Sequence, residues 1–151
     1  MMVYMVRKDD EIQRVASYLE MDEMNRLEGL SPQSIVGIYD AGGSLIVNSN
    51  FREFLHEIIA IAAPLDPDMQ RAASAQGDGR LVYIDSRVPA ALYPLPGEDI
   101  LGWFQVRAGQ IVDESYRPNP RHRIQGAHGI TAALGAMRQA MVNEIIARQT
   151  R

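Results

Sequence analysis

An α+β fold is what the sequence predicts: an antiparallel or mixed sheet of about five strands, helices packed on it, and a long C-terminal helix. Three observations lead there. β-branched runs flanking glycine-bearing turns recur in both halves, as in SIVGIYDAGGSLIV and DILGWFQVRAGQIV. Between them lie segments whose apolar residues fall at helical steps, as in NFREFLHEIIAIAA. The two kinds of segment are partly segregated instead of strictly alternating, which argues against a doubly wound parallel sheet. With 151 residues, no internal repeat and no dividing linker, a single domain over 1–151 is expected.

The first element is read as a helix. In DDEIQRVASYLEMDEMNRLEGLSP, Ile12, Val15, Ala16 and Leu19 are spaced as one helical face, and Asp9 or Asp10 can cap the first turn. Asp22 can begin a second short helix that closes at Gly29, before Ser31-Pro32. Ile35 to Tyr39 and Leu45 to Asn48 then flank Asp40-Ala41-Gly42-Gly43, a hairpin in which glycine supplies the positive φ of the turn. That glycine pair fits neither phosphate-binding fingerprint. Asn50 and Glu53 read as a capping box for a helix with Phe51, Phe54, Leu55, Ile58, Ile61 and Ala62 on its apolar face. Pro64 ends it, and Asp66-Pro67 opens another that runs to Gly77.

Leu81 to Asp85 reads as a strand, and two more surround a turn at Ala108-Gly109. In the strand before that turn Ile100, Gly102, Phe104 and Val106 share one face, and Leu101, Trp103, Gln105 and Arg107 the other. ALYPLPGED, with two prolines and a glycine, is a loop. The last helix carries Ile130, Leu134, Met137, Met141 and Ile145 at helical steps, thinned by Ala132, Ala133, Gly135, Ala136 and Ala140. Those small residues allow close approach of another backbone, from this chain or from a second copy in a homodimer.

Composition excludes several classes. Hydrophobic residues at 46% and charged residues at 23% match ordinary globular domains and not disordered or fibrous chains. The absence of cysteine removes disulfides, thiolate metal sites and cysteine nucleophiles. The opening MMVYMV run is short for the apolar region of a signal peptide, and no run approaches the roughly 18 apolar residues of a membrane span. A cytoplasmic location without membrane contact is the expectation.

Catalytic motifs are sparse. His56-Glu57 resembles the first half of a zinc-protease helix, but Ala60 stands where the second histidine belongs. No G-x-S-x-G elbow occurs. His122 and His128 could meet a carboxylate such as Asp85 or Asp113, yet their spacing is not that of a metal motif. No catalytic residue, metal or cofactor is expected.

Charge layout carries more information. From Asp9 to Glu28 the chain holds Asp9, Asp10, Glu11, Glu20, Asp22, Glu23 and Glu28 against Arg14 and Arg26. From Ser115 to Asn143 it holds Arg117, Arg121, Arg123 and Arg138 and no acid, within a chain of net charge -4. Three explanations compete. The arginines can pair with carboxylates inside the fold or across a dimer, the prolines stiffening a crossover. Arg117, Arg121, His122, Arg123 and His128 can bind an anion, as in a small enzyme or anion-binding protein, helped by the start of the last helix. Alternatively the acidic face can take a basic partner. Nucleic acid is the poorest fit, because the chain is net acidic and Tyr116 is the one aromatic among these basic residues.

YIDSRVP followed by GEDILGWFQVRAGQIVDESYRPNPRH resembles a segment of small bacterial proteins. The recurring shape is an acidic PEDI-type lead, an apolar strand, a glycine turn and an SY-x-PNP-x-H close. Here those are Glu98, Asp99 and Ile100, then Gly109, then Ser115, Tyr116, Pro118, Asn119, Pro120 and His122. Some of these proteins resemble immunity proteins of contact-delivered toxins. The resemblance, over about the central third of the chain, implies a non-enzymatic binding protein. It would neutralise a cognate toxin by covering the toxin's active site with an acidic surface of Glu20, Asp22, Glu23 and Glu28, joined by Glu98 and Asp99.

Overall fold

A computed structural model describes residues 1–27, 29–89 and 94–149. Glu28 and part of the loop expected over ALYPLPGED lie outside the described residues. The architecture is α+β; among the described residues there are four α-helices, including a long C-terminal one, and strands that are all antiparallel but divide among sheets of four, four and two instead of one. The chain condenses into two compact units, one of residues 1–55 and 137–151, the other of residues 56–136.

The first unit is built on the sheet β1 (Met2–Lys8), β2 (Glu11–Ser17), β3 (Ile35–Tyr39) and β4 (Leu45–Val47), in that order, with the short helix α1 (Met21–Arg26) between β2 and β3. The helix expected from Asp9 is therefore corrected to a β-hairpin. Asp9 and Asp10 have φ of 50° and 66°, the doubly left-handed turn that joins two strands with the right twist, and aspartate tolerates it better than most residues. Lys8 then faces Glu11, and Tyr4 faces Val15. Ile12 and Val15 are β-branched, so their local preference sides with the strand. The helix is confined to α1, where Glu20 begins it and Gly29, at φ +110°, closes it by donating its amide to Met24.

The β3–β4 hairpin is as the sequence predicts. Asp40 accepts the amides of Gly42 and Ser44 at 2.9 Å each, and Gly43 takes φ +85°. The following helix, α2 (Ser49–Ala62), starts one residue before the expected Asn50. Asn48 is the residue that accepts an amide at its start, from Asn50, while its own amide group donates to Pro32 and Ile35. Phe51, Phe54 and Leu55 on α2, with Met137, Met141, Val142 and Ile145 on α4 (Ala133–Gln149), are buried side chains of this unit. Burying seven such side chains contributes roughly 10–20 kcal/mol before conformational entropy is subtracted.

The second unit contains the sheet β5 (Gly79–Ile84), β6 (Ile100–Arg107) and β7 (Gln110–Ile111), with β8 (Arg117–Pro118) also paired to β6. A separate two-stranded ribbon follows, β9 (Gln125–Gly126) with β10 (Gly129–Ile130). Helix α3 (Pro67–Gln76) opens as predicted: Asp66 accepts the Asp68 amide at 2.8 Å and Pro67 takes the first position. At the β6–β7 turn Ala108 and Gly109 both have positive φ. Gly102, Phe104 and Val106 are buried along β6 while Gln105 and Arg107 face water, the alternation expected; Leu101 is buried as well. Ile130, assigned from spacing to the last helix, instead belongs to β10.

Candidate functional site

The polar residues singled out in the sequence fall into two groups that the fold treats differently. In the first unit, Glu23 is buried. Its carboxylate accepts the Glu20 amide at 3.0 Å and pairs with Arg138, whose Nε also donates to the Tyr18 carbonyl at 3.1 Å. Here an acid of α1 is neutralised by an arginine of the last helix, one of the pairings weighed above. Glu20 and Asp22 remain exposed. Burial raises the pKa of the Tyr4 hydroxyl, and the Glu20 and Asp22 carboxylates add to the rise, which places their charges beside β1.

In the second unit a cluster of ionisable residues is centred on Arg87, just after β5. The guanidinium side chain is 3% exposed and fills all five N–H donors. Nε donates to Asp99 Oδ1 at 2.8 Å, Nη1 to the carbonyls of Ile124 and Gly129, and Nη2 to those of Glu98 and Arg123. Asp85 lies 3.6 Å from the same Nε.

Asp85 and Asp99 are fully buried. Asp85 Oδ2 accepts from the Thr131 hydroxyl and lies 3.0 Å from His122 Nε2, while Oδ1 accepts the Ala132 amide at 2.8 Å. Burial alone would raise its pKa; the hydrogen bonds from His122, Thr131 and Ala132, with the Arg87 charge, outweigh that and hold it below the usual carboxylate range. Asp99 Oδ2 lies 2.8 Å from His128 Nδ1. His122 and His128 thus meet different aspartates, and Asp113 takes neither.

Glu98 reaches the tip of the β9–β10 ribbon, where Oε1 accepts the Ala127 amide at 3.0 Å. A Cβ on Gly126 would stand 2.9 Å from that oxygen, so glycine is what lets the carboxylate in. Asn119, in the PNP turn, donates to the carbonyls of Gly97 and Ile100 at 2.8 Å each and accepts the Arg121 amide at 3.1 Å. The crossover is braced by hydrogen bonds from Arg87 and Asn119 and by the buried Asp85 carboxylate at His122. Arg117, Arg121 and Arg123 are exposed; Arg117 donates to the carbonyl of Tyr116, and Arg123 stands 3.9 Å from Glu98.

His56, whose zinc-protease motif is incomplete, is half-buried on α2, with Nδ1 2.7 Å from the Tyr116 hydroxyl. Burial pushes the Tyr116 pKa up, so that hydroxyl stays protonated. Two grooves in this unit, of about 420 and 190 Å³, are lined by residues such as Pro64, Leu65, Ile111 and Asp113; neither is lined by Arg117, Arg121, His122, Arg123 or His128.

Arg87 is the functional-cluster residue that sequence reasoning missed. Its signal was Asp85-Ser86-Arg87 at the end of a strand, where acid and base two apart can face one buried space. No described helix is long and apolar enough to cross a membrane. Compared with protein-family models, curated proteins and solved structures, the chain matches none.

Proposed function

We propose that this chain is a non-enzymatic binding protein, an immunity-type inhibitor that covers the active site of a basic toxin. One observation carries the reading: the first unit exposes apolar side chains on an edge strand and on the acidic helix α1. Val3 and Met5 on one face of the edge strand β1, Met2 on its other face, and Met21 on α1 are 44–65% exposed, and Glu20 and Asp22 flank Met21 in sequence. Exposed apolar side chains on an open sheet edge are a liability unless a partner covers them, and the exposed carboxylates of α1 would speed encounter with a basic surface. The acidic surface is narrower than the sequence suggested, because Glu23 and Asp99 are buried and paired with Arg138 and Arg87. The resemblance of the central segment to small bacterial proteins, some of which resemble immunity proteins, supports the same reading.

The alternative, a small enzyme or anion-binding protein using segment 117–128, draws less support, because His122 and His128 are each engaged by a buried aspartate.

The test is co-expression with the product of the neighbouring reading frame, with growth and direct binding as readouts. Protection from a basic toxin is expected, and Glu20→Lys with Asp22→Lys should weaken binding at least about tenfold, mainly through the association rate. Absence of binding, or binding that the double reversal leaves unchanged, would overturn the proposal.

A further inference from the structure

We infer that Glu98, Asp99 and His128 form a binding site for a divalent transition-metal cation, independent of the acidic patch on the first unit. Each of the three offers one ligand atom, and these atoms lie within 4.8 Å of one another. Ligands held about 2.1 Å from a single ion stand roughly 3 to 4 Å apart. His128 Nδ1 and Asp99 Oδ2, at 2.8 Å, are nearly at that spacing already. The partly exposed Glu98 carboxylate offers the third ligand atom, within 4.8 Å of both.

The backbone holds these ligands in place from both sides. Glu98 and Asp99 are consecutive in a single 3-10 turn, Gly97–Asp99, that leads into β6. His128 sits at the two-residue tip of the β9–β10 ribbon. The ribbon is fixed to that turn by the Ala127 amide on Glu98 and by Arg87, which bonds both Asp99 and the Gly129 carbonyl. With Asp99 Oδ1 held by Arg87, Oδ2 has a set direction toward His128 Nδ1, as a preorganised ligand needs.

Charge argues the same way. Two fully buried carboxylates, Asp85 and Asp99, share one buried guanidinium, while the Glu98 carboxylate faces Arg123, which is 68% exposed and 3.9 Å away. Buried carboxylates need compensation, and a dication supplies what one arginine leaves over. One imidazole nitrogen with two carboxylate oxygens suits zinc, cobalt or manganese better than the all-oxygen preference of calcium or magnesium. Side-chain exposures of 22% for Glu98 and 27% for His128 leave an entry path and room for water ligands.

The experiment uses the full chain freed of metal by chelator, titrated with Zn²⁺ in a calorimeter and with Co²⁺ in a spectrophotometer. Binding of about one ion per chain is expected, with Co²⁺ d–d bands of a nitrogen–oxygen site. His128→Ala and Glu98→Gln should each weaken binding at least about tenfold. Glu98→Gln keeps an acceptor for the Ala127 amide, and far-UV circular dichroism with Trp103 emission would certify the fold of both variants. No binding up to about 1 mM of either ion, or binding that both variants leave intact, would overturn the inference.

Discussion

Replacing Arg87 by methionine should cripple the second unit while leaving its apolar packing nearly unchanged in volume. The loss can be worked from the bonds. Methionine keeps the aliphatic stem and removes five donors at once, those to Asp99, Ile124, Gly129, Glu98 and Arg123. Breaking a buried ion pair by deleting one partner costs about 3–5 kcal/mol, because the remaining charge stays buried. Carbonyls that water reaches add little; one that stays dry adds ~1 kcal/mol. Ile124 is buried, so its carbonyl is counted once. The sum, about 4–6 kcal/mol, is a large share of the roughly 5–15 kcal/mol by which a domain is stable.

Trp103 makes the assay selective. It is the chain's single tryptophan and lies on β6, so its emission follows the second unit. With a urea slope of about 2 kcal/mol/M, the midpoint should fall by roughly 2–3 M. Arg87→Lys keeps the charge but offers three donors to five acceptors, and should lie between the two. A methionine variant whose midpoint stayed within about 0.3 M of the native value would refute the view that this cluster holds the unit together.

Two further outcomes follow from the same unit. Gly102→Ala drives a Cβ into the Arg117 carbonyl and to 2.6 Å from the Tyr116 hydroxyl; overpacking against backbone should cost about 1–3 kcal/mol in a urea melt followed at Trp103, and an unchanged midpoint would contradict the β6–β8 pairing. The depressed pKa of Asp85 gives a pH signature. Its contribution is complete above the unfolded carboxyl pKa of about 3.9 and is lost as pH falls through the lower folded value. The stability gap between native protein and Asp85→Asn should therefore narrow below about pH 4; a gap that stayed constant or widened would reverse the assignment.

Local chemistry made much of the fold legible. Asp40 with Gly42 and Gly43, Asp66 with Pro67, and Ala108-Gly109 each name their turn or cap from a few adjacent residues, and each is found where those residues place it. The first hairpin was hidden because Asp9-Asp10 serves equally as a helix cap and as a left-handed turn, and because Ile12, Val15, Ala16 and Leu19 satisfy a helical spacing that the strand pairing of Tyr4 with Val15 overrides. The polar cluster was legible in composition and not in partnership. Asp85 to Thr131 and Arg87 to Gly129 span 46 and 42 residues, so no local pattern announces them. The same distance in sequence hid the burial of Glu23, whose arginine lies 115 residues away.

Arg87 also bears on how a chain without cysteine is held closed. Its bonds tie stretches that stand 11, 12, 36, 37 and 42 residues from it, spans over which a disulfide would ordinarily be the cross-link. The thermodynamics are opposite. A covalent bridge survives unfolding and works chiefly by limiting the freedom of the denatured chain. The guanidinium node dissolves with the native state, leaves the denatured ensemble its full entropy, and returns its whole contribution when the chain refolds, with no oxidant required.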